Sequence, residues 1–178
     1  SFFTAYQEAI GAAERVFEII ETPAAIRDPL EPLSLPTPVR GDVEFRDVVF
    51  RYRNEDPDAA PTLNGFSLRI APGEVVALVG PSGAGKTTVA SLLPRFWDIT
   101  SGTILLDGVD IARLRLADLR GAIGVVPQEP ALMSGTVREN IAYGRPGASD
   151  ADIEAAARVA NAHDFIAALP EGYDAVVG

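Results

Sequence analysis

Cysteine is absent from the 178 residues, and histidine and lysine occur once each, as His163 and Lys86. Without thiols there are no disulfides and no thiolate metal sites, and a single imidazole leaves zinc without its usual ligands. Both absences fit a cytosol-facing location. No apolar run reaches the ~18 residues of a membrane-spanning helix. The first residues also lack the basic, then apolar, then small-residue order of a secretory signal. Positive charge is scarce: 15 Lys and Arg stand against 25 Asp and Glu, a formal net charge of -10. That balance argues against a broad surface for a phosphate backbone, so no nucleic acid is expected as a partner. It leaves room for a small anion in a local pocket. With 47% apolar residues, the chain can bury a core of one domain with an appendage.

What is present falls into three stretches. In "SFFTAYQEAIGAAERVFEII", Phe3, Tyr6, Ile10, Ala13, Phe17 and Ile20 recur at steps of three and four. This spacing puts them on one face of a helix, expected within 1–22, that packs on its own domain or docks on something outside the chain. Pro23, Pro29, Pro32, Pro36 and Pro38 follow, a density that neither a helix nor a central strand accommodates, so 23–41 is predicted to be an extended linker. From Asp42 the pattern shortens. "DVEFRDVVFRY" and Phe66 to Ile70 alternate as strands do, while "EVVALVG" (74–80) is a continuous apolar run suited to a buried parallel strand. Thr88 to Phe96 suits a helix, "GTILLDG" and "GAIGVVPQ" suit strands, and "SDADIEAAARVANAHDFIAAL" suits one helix capped by Ser149 or Asp150. Strand, glycine-rich turn and helix in that order predict an α/β domain.

The glycine-rich turn carries the chemistry. Gly80, Pro81, Ser82, Gly83, Ala84, Gly85, Lys86 and Thr87 satisfy the G-x-x-x-x-G-K-[ST] spacing of a phosphate-binding loop. Glycines let the chain wrap so that successive backbone N–H groups point inward. The compact ammonium of a lysine fits between β- and γ-phosphates, where a planar guanidinium fits less well. This accounts for a lone lysine among so many arginines. Thr87 would offer its hydroxyl to Mg²⁺, and Thr88 a further hydrogen bond to phosphate. A chance glycine-rich turn would match these positions on the order of once in a few hundred chains, and the predicted strand and helix on either side make chance less credible still. "ILLDG" has the apolar-then-Asp form of a strand that holds Mg²⁺, but it follows the loop closely and ends in Gly108, so Asp107 is read as a turn residue.

From Asp42 onward the chain resembles the first part of the ATP-binding domain of ABC transporters, of the exporter type in which membrane helices and ATPase share one polypeptide. "TLNGFSLRIAPGEVVALVGPSGAGKTT" resembles that family's approach to the phosphate loop, or Walker A motif, and "SGTILLDGVDI" a segment that is structural there. The resemblance implies that Tyr52 of "VVFRY" stacks on adenine. It implies that Gln128 of "IGVVPQEPALMSGTVRENIAYG" is the Q-loop glutamine, which contributes an oxygen to Mg²⁺ and helps place the attacking water. "ANAHDFIAALPEGYDAVVG" is similar to the exporter branch, which makes His163 a helix residue rather than a catalytic one. Trp97 stands where a tyrosine is common and Met133 where a phenylalanine is common, both as apolar changes.

The fold so implied is an incomplete P-loop NTPase domain of ABC type with an antiparallel β subdomain and an N-terminal helix. Residues 1–22 would be the cytoplasmic extension of the last transmembrane helix, 23–41 the linker and 42–178 the N-terminal part of the ATP-binding domain. The implied ligands are ATP and Mg²⁺. The implied partners are the transmembrane domain of the same transporter and a second nucleotide-binding domain, in a homo- or heterodimer at the cytoplasmic face of the membrane. The family's LSGGQ signature, Walker B strand, catalytic Glu and switch histidine are not found within 1–178, so these residues are expected to bind MgATP without hydrolysing it alone. The apolar strand at 74–80 is likewise expected to lack flanking strands, leaving apolar faces open. A soluble ABC-type ATPase and a non-catalytic nucleotide-binding module are the alternatives.

Overall fold

The computed structural model describes residues 10, 13, 15–18, 20–53 and 59–178. They fall into two compact units, one up to Gly124 and one from Val125 onward. At the start, Ile10, Ala13, Arg15–Glu18, Ile20 and Glu21 are helical (α1). Phe3 and Tyr6 of the predicted apolar face lie outside the described residues, and Ile10, Phe17 and Ile20 of that face are exposed. Among the described residues no helix is long and apolar enough to cross a membrane.

The first unit is built on an antiparallel sheet. Strands β1 (Val43–Phe50), β2 (Leu63–Ile70), β3 (Ser101–Leu106) and β4 (Val109–Asp110) lie in the order β2-β1-β3-β4. The alternation of β1 slips by one in mid-strand: Val43 and Phe45 are buried, and then Val48 and Phe50. The slip is a bulge, with Asp47 at φ 47° and a shift of register against both neighbours, and it keeps apolar side chains on the core face at both ends of the strand. Helix α2 (Lys86–Leu92) adds Val89 and Leu92 to a core with Phe50, Ile104, Leu106 and Leu119. The helix is shorter than the expected Thr88–Phe96 at its far end. Arg95 turns left-handed at φ 54°, and the Arg95 and Phe96 amides close onto the Leu92 and Ser91 carbonyls at 3.0 and 3.2 Å.

Two predicted strands do not form. Residues 74–80 and 121–128 belong to no strand, and Val75, Val79 and Val126 are 96, 89 and 93% exposed. An apolar run records a preference for burial, but a strand also needs a ladder partner, and among the described residues neither segment has one.

The proline-rich stretch is fastened to the first unit along its length. The Leu116 amide, at the start of α3 (Leu116–Gly121), donates to Asp28 Oδ1 at 2.7 Å. Leu33 donates to the Arg113 carbonyl at 2.8 Å and bridges in parallel to Leu114. The third fastening is Asp107, whose carboxylate accepts from the Arg40 amide at 2.6 Å and the Asp42 amide at 2.8 Å. Asp107 is buried and sits at φ 49° in the β3–β4 turn, as a turn residue should. Burial alone would raise its pKa. The N–H groups of Arg40, Asp42 and Gly41, with the charge of Arg40, outweigh burial and hold the pKa below the ordinary carboxylate value.

A native pKa below the unfolded one adds stability that is fully present above about pH 4 and is lost as pH falls through the native value. Asp107→Asn keeps the shape and tolerates the backbone, but it turns one acceptor into a donor facing an N–H. The expected result is a loss of about 1–2 kcal/mol at neutral pH and a shallower fall in thermal midpoint on acidification below about pH 4, followed by circular dichroism.

The second unit pairs β5 (Gly135–Thr136) with β6 (Val176–Val177). Helix α4 (Val137–Ala142) begins at a capping box of Thr136 and Glu139, and α5 (Asp150–Val159) at one of Ser149 and Asp152. The single helix expected from Ser149 onward is two. Asn161 turns left-handed at φ 55°, and the Asn161 and Ala162 amides close onto Arg158 and Ala157 before α6 (His163–Ala167) starts. Asparagine tolerates that conformation, so it stops the helix inside an otherwise helical pattern. An apolar groove of about 470 Å³, lined in part by Ile141, Phe165 and Leu169, lies among α4, α5 and α6.

Candidate phosphate-loop site

Between β2 and α2 the backbone of 80–85 must turn back sharply to deliver Lys86 to the helix start. Gly83 and Gly85 adopt φ 80° and 82°, where other residues pay a steric cost. At Gly85 space is also short. A Cβ there would lie 2.9 Å from Leu63 Cδ2 and 3.4 Å from the Thr62 carbonyl oxygen, so the loop rests directly on the first residues of β2. The Ala84 amide closes a turn onto Pro81 at 3.3 Å, and the Val89 amide reaches Gly85 at 3.0 Å. Among the described residues the backbone N–H groups of Ser82, Gly83, Gly85, Lys86 and Thr87 take no backbone acceptor. A row of free amides is an anion-binding concavity.

Lys86 opens α2, and its ammonium folds back over the loop to donate to the carbonyls of Gly80 and Pro81, each at 2.8 Å. The one lysine thus sits beside the free amides, held by acceptors it can exchange for a phosphate oxygen. Thr87 is exposed and Thr88 is 5% exposed. Among the described residues no three Asp, Glu or His side chains gather as a ready metal cage. A divalent ion here fits as a companion of a bound polyphosphate, with the Thr87 hydroxyl available to it.

Tyr52 is brought to the same place from the end of β1. Its hydroxyl and Thr88 Oγ1 are 3.0 Å apart, which ties the aromatic ring to α2. The ring stands nearly perpendicular to Phe50, with centroids 4.7 Å apart at 84°, and to Trp97, 5.2 Å at 86°. Gly80, Pro81, Ser82, Gly83, Ala84, Gly85, Lys86, Thr87, Thr88 and Tyr52 therefore belong to one unit, and Tyr52 touches the loop's own helix. Gln128 is exposed in the second unit.

Two neighbours of Tyr52 escaped the sequence reading. Phe50 was legible only as a core residue of an alternating strand, and Trp97 only as an apolar change after a helix. Their meeting depends on the turn at Arg95, which the sequence does not announce. A usable signal was rarity, since Trp97 is the single tryptophan of the chain.

Comparison with known proteins places these features in a family. A sequence profile for the ABC transporter family matches residues 63–173. The chain is 49% identical over 172 residues to an ATP-dependent lipid A-core flippase of Syntrophus aciditrophicus (strain SB), covering 97% of the chain and 28% of that protein. It is 49% identical over 175 residues to ABC transporter B family member 19 of Arabidopsis thaliana, covering 98% of the chain and 14% of that protein. Among solved structures, that of a bacterial Atm1-family ABC exporter with ATP bound is similar at a TM-score of 0.83 and 47% identity, over 99% of this chain and 30% of that one. The chain spans less than a third of the length of each of these proteins.

Proposed function

The chain belongs to the ABC transporter family, as part of its ATP-binding domain, and on that premise we propose that it binds MgATP on the loop 80–88 to drive export across a membrane. The observation that carries the proposal is the set of amides at Ser82, Gly83, Gly85, Lys86 and Thr87 that take no backbone acceptor, beside the ammonium of Lys86. In this reading the amides and Lys86 hold the phosphates, Thr87 offers its hydroxyl to Mg²⁺, and Thr88 adds a hydroxyl from the helix. Tyr52 stacks on adenine, and Gln128 is read as the Q-loop glutamine of the family. Bound Mg²⁺ neutralises charge on the β- and γ-phosphates. The role assigned to residues of this chain is binding and orientation: amides fix the phosphate oxygens, Lys86 gives up its loop carbonyls for them, and Tyr52 fixes the base.

The wider reading rests on the relatives, named as a flippase and as B family transporters. Residues 1–22 extend a transmembrane helix into the cytoplasm, 23–41 link it, and 42–178 begin the ATP-binding domain. The partners are the membrane domain of the same transporter and a second nucleotide-binding domain, homo- or heterodimeric, at the cytoplasmic face.

Calorimetric titration of the purified chain tests the binding step. Saturable ATP binding that tightens about tenfold or more when Mg²⁺ is present is expected, since the ion relieves repulsion among the phosphates. No saturation at millimolar MgATP would defeat the proposal.

A further inference from the structure

Trp97 and Thr88 lie beside Tyr52 and are bound to it, one by its ring and one by its hydroxyl. We infer that Trp97 is a positioning residue for the base of the nucleotide: it sets the plane of Tyr52 while Thr88 anchors the hydroxyl. The inference rests on the reading of 80–88 as a nucleotide site with Tyr52 at the base.

The geometry constrains the Tyr52 ring from several directions. Phe50 and Trp97 both stand edge-on to it, at 84° and 86°. They also meet each other, with centroids 6.5 Å apart and planes at 58°. Phe50 is 1% exposed and fixed in the core, whereas Trp97 is 41% exposed. The buried member fixes the cluster to the sheet, and the exposed one limits the ring on its open flank. A tilted tyrosine makes a poorer stacking platform, because aromatic contacts depend on the angle between planes. The third constraint is the 3.0 Å contact between Tyr52 Oη and Thr88 Oγ1. Thr88 is buried and belongs to α2, two residues after Lys86.

Two ligands separate this role from a structural one. ATP carries a base and inorganic tripolyphosphate does not, so a residue that acts through Tyr52 should alter only the first. In calorimetric titration of the full chain, Trp97→Leu should weaken MgATP binding about fivefold, the factor that corresponds to one edge-on aromatic contact, and leave tripolyphosphate unchanged. Trp97→Phe should restore ATP binding. The double variant Tyr52→Leu with Trp97→Leu should bind ATP no more weakly than Tyr52→Leu alone. Because Trp97 is the only tryptophan, its emission in the unmodified chain should change with ATP and stay constant with tripolyphosphate.

Should Trp97→Leu fold poorly, Tyr52→Phe removes a single oxygen and should still weaken ATP alone, by a few-fold. Equal losses for both ligands, or additive losses in the double variant, would overturn the inference. Failure of the unmodified chain to bind tripolyphosphate would instead sink the reading of the loop itself.

Discussion

Lys86→Ala is expected to lower MgATP affinity about a hundredfold, a loss of roughly 2.7 kcal/mol, while leaving the fold intact. The size follows from what the ammonium does. A charge-assisted hydrogen bond contributes about 1.5–3 kcal/mol, and here the charge meets a polyanion beside amides that cannot replace it. Its present partners, the Gly80 and Pro81 carbonyls, are bonds that span only five and six residues on an exposed loop, so their loss costs the fold little. Lys86→Arg should recover only part of the affinity, since a planar fork cannot take the place of a point charge within so tight a loop. Calorimetry with MgATP, beside circular dichroism to show an unchanged fold, makes the measurement. Retained affinity in Lys86→Ala would mean that nucleotide is held elsewhere.

The loop could be read from its spacing because its function depends on backbone. Glycines at fixed positions, one lysine and one hydroxyl are the same objects in sequence and in space, and the structure adds free amides and two carbonyl contacts to them. Strand β1 was equally legible, although its bulge at Asp47 was not, because alternation tolerates a slip when apolar residues resume on the correct face. The two strands that do not form share one cause. Segments 74–80 and 121–128 are at least as apolar as strand β2, but pairing is decided by a neighbour, and apolar content does not name one. The helix break at Asn161 and the early end of α2 at Arg95 are left-handed residues of types that also occur within helices. The meeting of Tyr52 with Thr88 and Trp97 joins residues 36 apart at its hydrogen bond, and no local pattern encodes that. The fastening of the proline-rich stretch depends on Asp28 and Asp107, each ordinary in its own surroundings.

Gly102→Ala is expected to destabilise the first unit by about 3 kcal/mol, with a fall in thermal midpoint of roughly 6–12 °C for a chain of this size. Gly102 is the second residue of β3, where that strand passes the bulge of β1. A Cβ there would lie 2.5 Å from the Asp47 carbonyl oxygen and 2.6 Å from that of Arg46. Both are backbone atoms, so no side-chain rotation relieves the clash, and one strand must move. The residue also has φ 92°, which adds about 1 kcal/mol for any residue with a Cβ. Gly108→Ala separates the two causes. It shares the left-handed backbone at φ 80° but has nothing within 4 Å of the added carbon, so it should lose only the conformational part, about 1 kcal/mol. Thermal melts followed by circular dichroism should therefore rank Gly102→Ala well below Gly108→Ala. The bulge and the glycine require each other: Asp47 turns its carbonyl toward β3 only because no side chain stands at 102. Equal losses in the two variants would mean that β3 can shift away from the bulge at no cost.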